Sequence, residues 1–296
     1  MILIADSGST KTHWALMTAN GHASDLFTAG INPVHQSEEQ IRHTLETELL
    51  PQLGPLMWAG TITNIFFYGA GCTPAKIPVM EALLESVFKT AKAAVASDMV
   101  GAARALWGHE SGVACILGTG SGSCRYNPSQ PPLNGGEMEF IVPSLGYILG
   151  DEGSGAVLGK RLINALYKRP AWADLKAAFE AQTGTDMAGV IEAVYRQPNP
   201  NRTLAAWSRF CIDRLEDPRI RELIEAHFED FVSLHLEPYY TDHRARTFRC
   251  VGGIAKQYET ILRDVAARHD IRLELVLQDP IEGLKKFHRN NVTPTT

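Results

Sequence analysis

Short apolar runs, each followed by small or acidic residues, divide this chain into strands and helices. Residues 2–5 (ILIA), 65–68 (IFFY) and 113–117 (VACIL) each predict a buried strand. Residues 12–18 (THWALMT) are β-branched, aromatic and apolar, which also favours a strand. The dipeptide Asn-Gly that follows is a strong hairpin signal, so residues 22–30 are expected to return as a third strand.

The first half of the chain therefore predicts the order β-β-β-α-β-α-β-α. Ser37, with Gln40 three residues later, predicts a capping box at the start of a helix that ends at Pro51. A second helix is expected over residues 77–91. The next strand, over residues 93–96, is followed directly by the helical pattern MVGAARAL.

The second half restarts the same pattern, with a strand over residues 113–117, a loop over 118–123 and a strand over 124–126. The later elements are a helix over 154–167, a helical insertion over about 171–236, a strand over 247–251, a helix over 254–269, a strand over 272–277 and a closing helix over 280–287. We expect two domains, residues 1–108 rejoined by the closing segment 281–296, and residues 109–280.

Composition limits the functional classes. The chain has 296 residues, 45% of them hydrophobic, and a formal net charge of −5. This length suffices for a sizeable core, and the mild acidity does not favour binding to nucleic acid or to a membrane surface. The N-terminal pattern does not predict a secretion signal, and no apolar stretch reaches spanning length. Five cysteines without a Cys-x-x-Cys motif indicate reduced thiols in a cytoplasmic protein and argue against zinc.

Two loops carry candidate chemistry. The first predicted strand ends on Asp6-Ser-Gly-Ser-Thr-Lys11, and residues 118–123 (GTGSGS) repeat this small-residue pattern. Glycine lets backbone amides approach a ligand, while hydroxyls and lysine offer further donors to phosphate. In Rossmann and P-loop folds such a loop opens a helix, whereas here each loop joins two strands. An ordinary surface hairpin is the alternative for either loop alone.

With these loops placed, the chain resembles the sugar-kinase branch of the actin-like ATPase superfamily. More narrowly, it resembles the BadF/BadG/BcrA/BcrD-type ATPases that include N-acetylglucosamine kinases. The resemblance rests on an ordered set of segments: DSGSTKT (6–12), SDMVGAARA (97–105), LGTGSGS (117–123), GYILGDEGSG (146–155), and VGGIAKQY (251–258) with DPIEGL (279–284). It implies a two-lobed α/β fold of the actin-like ATPase (ribonuclease H-like) type, with duplicated βββαβαβα domains and a helical insertion in the second.

The resemblance also implies ATP as phosphate donor, Mg²⁺ as cofactor, and a role for each matching residue. Those that would bind ATP are Gly8, Ser9, Thr10 and Lys11 in the first loop, Gly118, Thr119 and Gly120 in the second, and Gly252 and Gly253 with Lys256 nearby. Those that would hold the sugar are Asn32, Ser121, Leu145, Gly146 and Asp151. Asp6 would position Mg²⁺ through water. Asp98 would contact the sugar and receive the proton of its 6-hydroxyl, and a carboxylate of ordinary pKa is adequate because phosphoryl transfer has a loose transition state.

Each role has a purely structural alternative. Asp98 precedes a helical pattern and could be its N-cap. Asp151 and the acid after it could be favoured by a helix dipole. Asn32 before Pro33 could be a turn residue, and Lys256 could be solvated.

Two positions depart from the family pattern. Gly122 stands where relatives often carry an Asn that reaches the sugar, and Gly253 stands where they often carry Ser. The identity of the sugar is therefore open: N-acetylglucosamine is expected, with glucosamine, glucose or N-acetylmuramic acid as alternatives. Relatives suggest a homodimer.

Two other functional classes compete with the kinase. One is an ATPase activator of a dehydratase or reductase, because Cys115-Ile-Leu-Gly-Thr-Gly120 matches the spacing of proteins that share an iron–sulfur cluster between subunits. Such activators need a second cysteine some distance later, and none lies between Cys124 and Cys211. The other is a sugar sensor without catalysis, against which the intact Asp6, Lys11 and Asp98 argue.

Overall fold

The computed structural model describes residues 1–8, 10–59, 61–129, 138–241 and 245–289. The chain folds into two compact units. The first contains Met1–Ser111 together with the segment from Asp279 onward, and the second contains Gly112–Gln278.

The first unit is built on a five-stranded sheet with the order β3-β2-β1-β4-β5. β1 pairs antiparallel with β2, and β2 with β3, whereas β1, β4 and β5 run parallel. The strands are β1 (Ile2–Ser7), β2 (Lys11–Met17), β3 (Ala23–Ala29), β4 (Asn64–Gly69) and β5 (Lys92–Ser97). The predicted hairpin between the first two strands is confirmed.

Helices of this unit fill the connections between its strands. They are α1 (Glu38–Thr44), α2 (Leu50–Leu53), α3 (Ile77–Val87) and α4 (Asp98–Trp107). One face of the sheet buries Leu3, Trp14 and Phe67 against apolar residues of α1 and α3, such as Ile41 and Leu83. This burial follows from the alternating side-chain directions of strands and the apolar stripes of the two helices.

The first helical region begins as predicted but does not end at Pro51. Ser37 caps α1, and its reciprocal bonds with Gln40 form the expected capping box. A π-helical turn, Leu45–Leu49, then precedes α2 and leaves Pro51 in its first turn. Because a proline at a helix start sacrifices no intrahelical hydrogen bond, the helical path continues past it.

The second unit repeats the sheet of the first. Its order is β10-β9-β6-β7-β8, in which β6 pairs antiparallel with β7 and parallel with β9. The strands are β6 (Gly112–Leu117), β7 (Ser121–Tyr126), β8 (Met138–Glu139), β9 (Thr247–Val251) and β10 (Arg272–Leu277). Taken in chain order, β1 to β5 of the first unit therefore correspond to β6 to β10 of the second, which confirms the predicted duplication.

The second small-residue loop is shorter than predicted. β7 starts at Ser121, so the loop comprises only residues 118–120, and Ser121 and Ser123 pair with residues of β6. The small side chains are buried in the sheet rather than exposed in a turn. A run of Gly and Ser is ordinarily a loop signal, and here burial overrides it.

Helices account for most of the chain between β8 and β9, which confirms the helical insertion. They are α5 (Gly146–Leu149), α6 (Gly155–Lys168), α7 (Ala173–Thr183), α8 (Met187–Tyr195), α9 (Pro200–Trp207) and α10 (Pro218–Phe231), the last extended by a π-helical turn, Val232–Leu236. After β9 the predicted single helix is divided at Tyr258 into α11 (Gly253–Gln257) and α12 (Glu259–Arg268). The Tyr258 ring is buried, and its hydroxyl donates to the backbone oxygen of Ser208.

The closing helix, α13 (Ile281–His288), packs against the first unit. Ile281 and Leu284 cover the second face of the first sheet. A Cβ on Gly283 would stand 2.3 Å from the backbone oxygen of Ala105, so only glycine permits this close approach of α13 to α4.

Candidate active site

In the first unit, the parallel strands end level with one another. Ser7, Gly69 and Ser97 are register partners at the carboxyl ends of β1, β4 and β5. Asp6 precedes one of these positions, and Asp98 follows another. β4 lies between β1 and β5, and neighbouring strands are about 4.8 Å apart, so Asp6 and Asp98 are two strands apart at the same end of the sheet, where ligand sites of α/β folds gather.

The first loop forms a tight connection between β1 and β2. The Gly8 amide donates to the Lys11 backbone oxygen (3.1 Å), and the Thr10 oxygen accepts from Gly30 (3.1 Å). Lys11 Nζ lies 5.5 Å from the centre of the Phe27 ring. A Cβ on Gly8 would have no neighbour nearer than 3.8 Å, so the packing of this unit does not itself require glycine there. Ser9, also predicted to bind phosphate, lies outside the described residues.

Asp98 is not the cap of its helix. Ser97 is the N-cap of α4 and accepts a hydrogen bond from the Val100 amide. Asp98 stands in the first turn, where its Oδ1 accepts from the Met99 amide (2.9 Å). Burial raises the pKa of Asp98 above its ordinary value, against the effect of that amide. The structure thus removes the capping alternative and gives this carboxylate a higher proton affinity than the sequence predicts.

Asp6 lies in an acidic environment. Burial, reinforced by Asp98 and Asp279 and opposed by Lys11, raises the pKa of Asp6 to about 7. These carboxylates suit a divalent cation, because a cation beside them would relieve their mutual repulsion. Among the described residues no cluster of His, Cys, Asp or Glu has the geometry of direct metal ligands. The donor set therefore fits an ion held through water, as Mg²⁺ often is.

Asp279 is an acid of this site that sequence analysis did not assign, although it opens the quoted segment DPIEGL. Its Oδ1 lies 3.9 Å from Nδ1 of His13, which is the cross-strand partner of Asp6. The other ring nitrogen of His13 bonds Asp25 (3.0 Å), and Lys285 also pairs with Asp25 (2.6 Å). No short-range pattern links residues so distant in sequence, so only the fold reveals the cluster.

Asn32 lies beside the turn that follows β4. Its Oδ1 accepts from the Val34 amide (2.9 Å), which is an Asx turn. A Cβ on Gly71 would stand 2.1 Å from that same Oδ1. Ser7 holds the preceding residue, because its Oγ exchanges hydrogen bonds with both backbone groups of Ile31. The turn role of Asn32 is therefore established, and its amide nitrogen is the group that could bind a sugar.

In the second unit, the loop over residues 118–120 is bound to the start of α6. The Gly155 amide donates to the Gly118 oxygen (2.8 Å), and the Ala156 amide donates to the Thr119 oxygen (3.2 Å). In a planar trans peptide the N–H points opposite to the C=O. The amides of Thr119 and Gly120 therefore point away from the start of α6.

Asp151 and Ser121 are brought together beside this loop. Burial raises the pKa of Asp151 above its usual value, although the Ser121 amide, which bonds its carboxylate, acts in the opposite direction. Asp151 Oδ2 lies 3.0 Å from where a Cβ on Gly120 would stand. The Ser121 hydroxyl donates to the Glu152 backbone oxygen (2.7 Å). Leu145 and Gly146 lie before this turn, and the Leu145 side chain is exposed.

The third group of predicted ATP-binding residues, Gly252, Gly253 and Lys256, divides into two environments. Gly252 has φ +128°, and a Cβ there would stand 2.3 Å from the Leu117 oxygen, so glycine is required by the fold. Gly253 is less restricted, with Gln278 Nε2 at 3.6 Å from the corresponding position. Lys256 Nζ forms an ion pair with Glu259, three residues later in the chain (3.0 Å). The structure therefore brings Gly252 to the second loop but gives Lys256 a local partner.

Cys115 does not have the exposure that an intersubunit cluster needs. It is buried on β6 opposite Cys250 of β9. Burial, reinforced by Cys250, raises the pKa of Cys115 well above its usual value. An iron–sulfur cluster needs thiolates, so this site does not suit the activator alternative.

Comparison with solved structures places the fold. A candidate N-acetylglucosamine kinase from Porphyromonas gingivalis is 41% identical over 99% of this chain and 100% of its own, with a TM-score of 0.89. The chain belongs to the N-acetylglucosamine kinase-like family. A second candidate N-acetylglucosamine kinase, from Chromobacterium violaceum, is 18% identical over 97% of this chain and 98% of its own, with a TM-score of 0.71.

The N-acetylglucosamine kinase-like chain also shares its fold with a more distant kinase. A ROK-family glucokinase from Streptomyces griseus, solved with glucose and AMPPNP, is 17% identical over 97% of both chains, with a TM-score of 0.55. The predicted actin-like, sugar-kinase type of fold is confirmed. No family model and no curated protein sequence matches the chain. In the described part of this N-acetylglucosamine kinase-like protein, no helix has the length and apolar character needed to cross a membrane.

Proposed function

We propose that this protein is an ATP-dependent sugar kinase that transfers the γ-phosphate of ATP to the 6-hydroxyl of N-acetylglucosamine or a close amino sugar. The observation that carries the proposal is the position of Asp98. Asp98 directly follows the carboxyl end of β5, at the same end of the sheet as Asp6. Ser97, not Asp98, caps the helix that begins there. The family relationship to a candidate N-acetylglucosamine kinase supports the choice of substrate.

Asp98 would act as the proton acceptor. As the bond from the sugar O6 to the γ-phosphorus forms and the bond from that phosphorus to ADP breaks, the hydroxyl proton would pass to the Asp98 carboxylate. Its raised pKa increases its proton affinity, while the loose transition state makes orientation of the hydroxyl at least as important.

The two loops would bind the phosphates with backbone amides. The outward amides of Thr119 and Gly120 and the open space beside Gly8 suit the close approach of an anion. Lys11 would add a positive charge near the phosphates. Mg²⁺, held through water by Asp6, would supply charge neutralisation to the transferring group. A cytoplasmic location and a homodimer are part of the same proposal.

Asp151 and Asn32 would bind the sugar. Asp151 has a carboxylate held by the Ser121 amide, which leaves acceptor capacity for a hydroxyl. Asn32 would donate from its amide nitrogen. Ser121, Leu145 and Gly146 complete the proposed contacts, and the exposed Leu145 offers an apolar surface to an acetyl group.

The decisive test is Asp98→Asn, assayed by coupled ADP detection against a panel of sugars. We expect sugar-dependent ATP consumption to fall by about 10²-fold or more, with ATP binding by calorimetry within about twofold of wild type. Asp186→Asn is the matched control, because Asp186 caps α8 in the second unit and Asn can accept the same hydrogen bond from the Gly189 amide. Turnover in Asp98→Asn comparable to wild type would remove Asp98 from the proposed role.

A further inference from the structure

One face of the helix formed by α10 and its π-helical extension carries buried rings at intervals of four residues. These are His227, Phe231 and His235, whose side chains are almost completely buried. Residues four apart on a helix lie on the same side, and the rings of Phe231 and His235 stack with centroids 5.6 Å apart. Two histidines inside a core are unusual, because each brings polar nitrogens that must be satisfied.

All three rings lie against the turn over residues 151–154. His235 Nε2 bonds Glu152 Oε2 at 2.9 Å. A Cβ on Gly153 would stand 2.8 Å from the Phe231 ring. Burial, together with Arg161, lowers the pKa of His227 to about 3, and the nearby backbone groups of Gly153 and Ser154 act in the opposite direction.

This turn has an unfavourable backbone conformation. Asp151 has φ +58°, in the left-handed region, and Gly153 has φ +87°. A non-glycine residue in that region costs about 1 kcal/mol or more, so the surrounding contacts must hold the turn in place. The Glu152 side chain supplies such a contact, because a carboxylate can only accept and the facing His235 nitrogen therefore donates.

We propose that His235 is a positioning residue that holds Glu152 and, through the turn over residues 151–154, sets the orientation of the Asp151 carboxylate toward a sugar hydroxyl. The sugar part of this inference rests on the proposed function. The turn also carries the Glu152 oxygen that accepts from Ser121, so a loosened turn would disturb the start of β7 as well.

The hydrogen bond can be removed without removing the ring. His235→Phe retains the stacking on Phe231 but has no donor, whereas His235→Gln keeps an amide donor that reaches about as far from the backbone. His269 offers a matched control, because it bonds Glu229 (2.5 Å) and Glu237 (2.8 Å) in the same unit and makes no contact with the turn among those the structure describes.

We would measure amide hydrogen exchange of the full chain without ligands, over residues 119–121 and 151–156. Loss of a hydrogen bond to a charged group predicts about tenfold faster exchange of these amides in His235→Phe, with His235→Gln within about threefold of wild type. His269→Phe should exchange like wild type in both segments. In kinetics, His235→Phe should raise the KM for the sugar about tenfold, with kcat and the KM for ATP within about twofold.

Exchange in His235→Phe equal to that of wild type would overturn the proposal. Faster exchange with an unchanged sugar KM would also overturn it, because the turn would then not position the sugar. If His235→Phe does not fold, Glu152→Leu removes the acceptor of the same hydrogen bond, and unchanged exchange in that variant would have the same consequence. If the wild-type protein shows no sugar-dependent turnover, the proposed function is refuted. The difference in amide exchange between His235→Phe and wild type would still show whether His235 holds the turn.

Discussion

Replacement of Asp6 by Asn should stabilise the protein in a pH-dependent way. The native pKa of Asp6 is about 7, compared with 3.8 for an unperturbed aspartate. Because the folded-state pKa is the higher one, the folded protein binds the proton more tightly than the unfolded chain. The stability that Asp6 contributes is complete below pH 3.8 and is lost as the pH rises through 7.

The size of the effect follows from the same shift. A difference of about 3 between the two pKa values corresponds to at most about 4 kcal/mol. We expect Asp6→Asn to unfold with a free energy about 2 to 4 kcal/mol higher than wild type at pH 8, and with nearly the same free energy at pH 4. Urea unfolding without Mg²⁺, followed by tryptophan fluorescence at several pH values, measures both quantities.

Asp25 provides a control of opposite sign. Although burial works against it, Lys285 and His13 hold the pKa of Asp25 below its usual value. Asp25→Asn should therefore reduce stability at pH 8, by about 0.5 kcal/mol because the pair is partly exposed, and this loss should vanish as the pH falls below the ordinary range of aspartate. An Asp6→Asn protein that is less stable than wild type at pH 8, or a difference that does not change with pH, would refute the assignment of a buried, proton-retaining carboxyl group.

Other substitutions separate ligand binding from folding. Addition of Mg²⁺ at pH 8 should raise the melting temperature of wild type but not of Asp6→Asn, and EDTA should reverse the increase. Gly118→Ala should weaken ATP binding about tenfold or more while leaving the melting temperature within about 2 °C, because a Cβ there meets no atom nearer than 4.0 Å. Gly252→Ala should instead lower stability by about 2 kcal/mol or more, since its Cβ would collide with the Leu117 oxygen. Ser97→Ala should cost about 1 kcal/mol in urea unfolding through loss of the α4 cap.

Local patterns predicted most of the sheet elements, because most strands have their own apolar run and most connections their own turn residues, but the two-residue β8 was not placed. β9 and β10 were placed at their observed ends, and the capping box at Ser37 was correct. The errors occurred where packing overrides local preference. Ser121 and Ser123 belong to a buried strand despite their composition, and Pro51 lies within a helical region because a π-helical turn precedes it.

Sequence analysis assigned site roles almost entirely to residues within the segments that carry the family resemblance. The sequence placed Asp6 and Asp98 each at the end of a strand, and the fold brings these two parallel strands, β1 and β5, into one sheet with β4 between them. Asp279 and His235 were missed, because each reaches its partner through tertiary structure rather than through spacing in the sequence. The distinction between Ser97 and Asp98 as the cap depends on backbone angles that the sequence pattern leaves open.

The return of α13 to the first unit affects the order in which the protein folds during synthesis. Tyr68 bonds a histidine, His288, that lies 220 residues later in the chain. The ribosome therefore completes the whole of Gly112–Gln278 before the helix that covers one face of the first sheet emerges. In the interval Ile2 and Ile4 lack their apolar cover, so the nascent amino-terminal half is the stage at which we expect chaperone binding or aggregation.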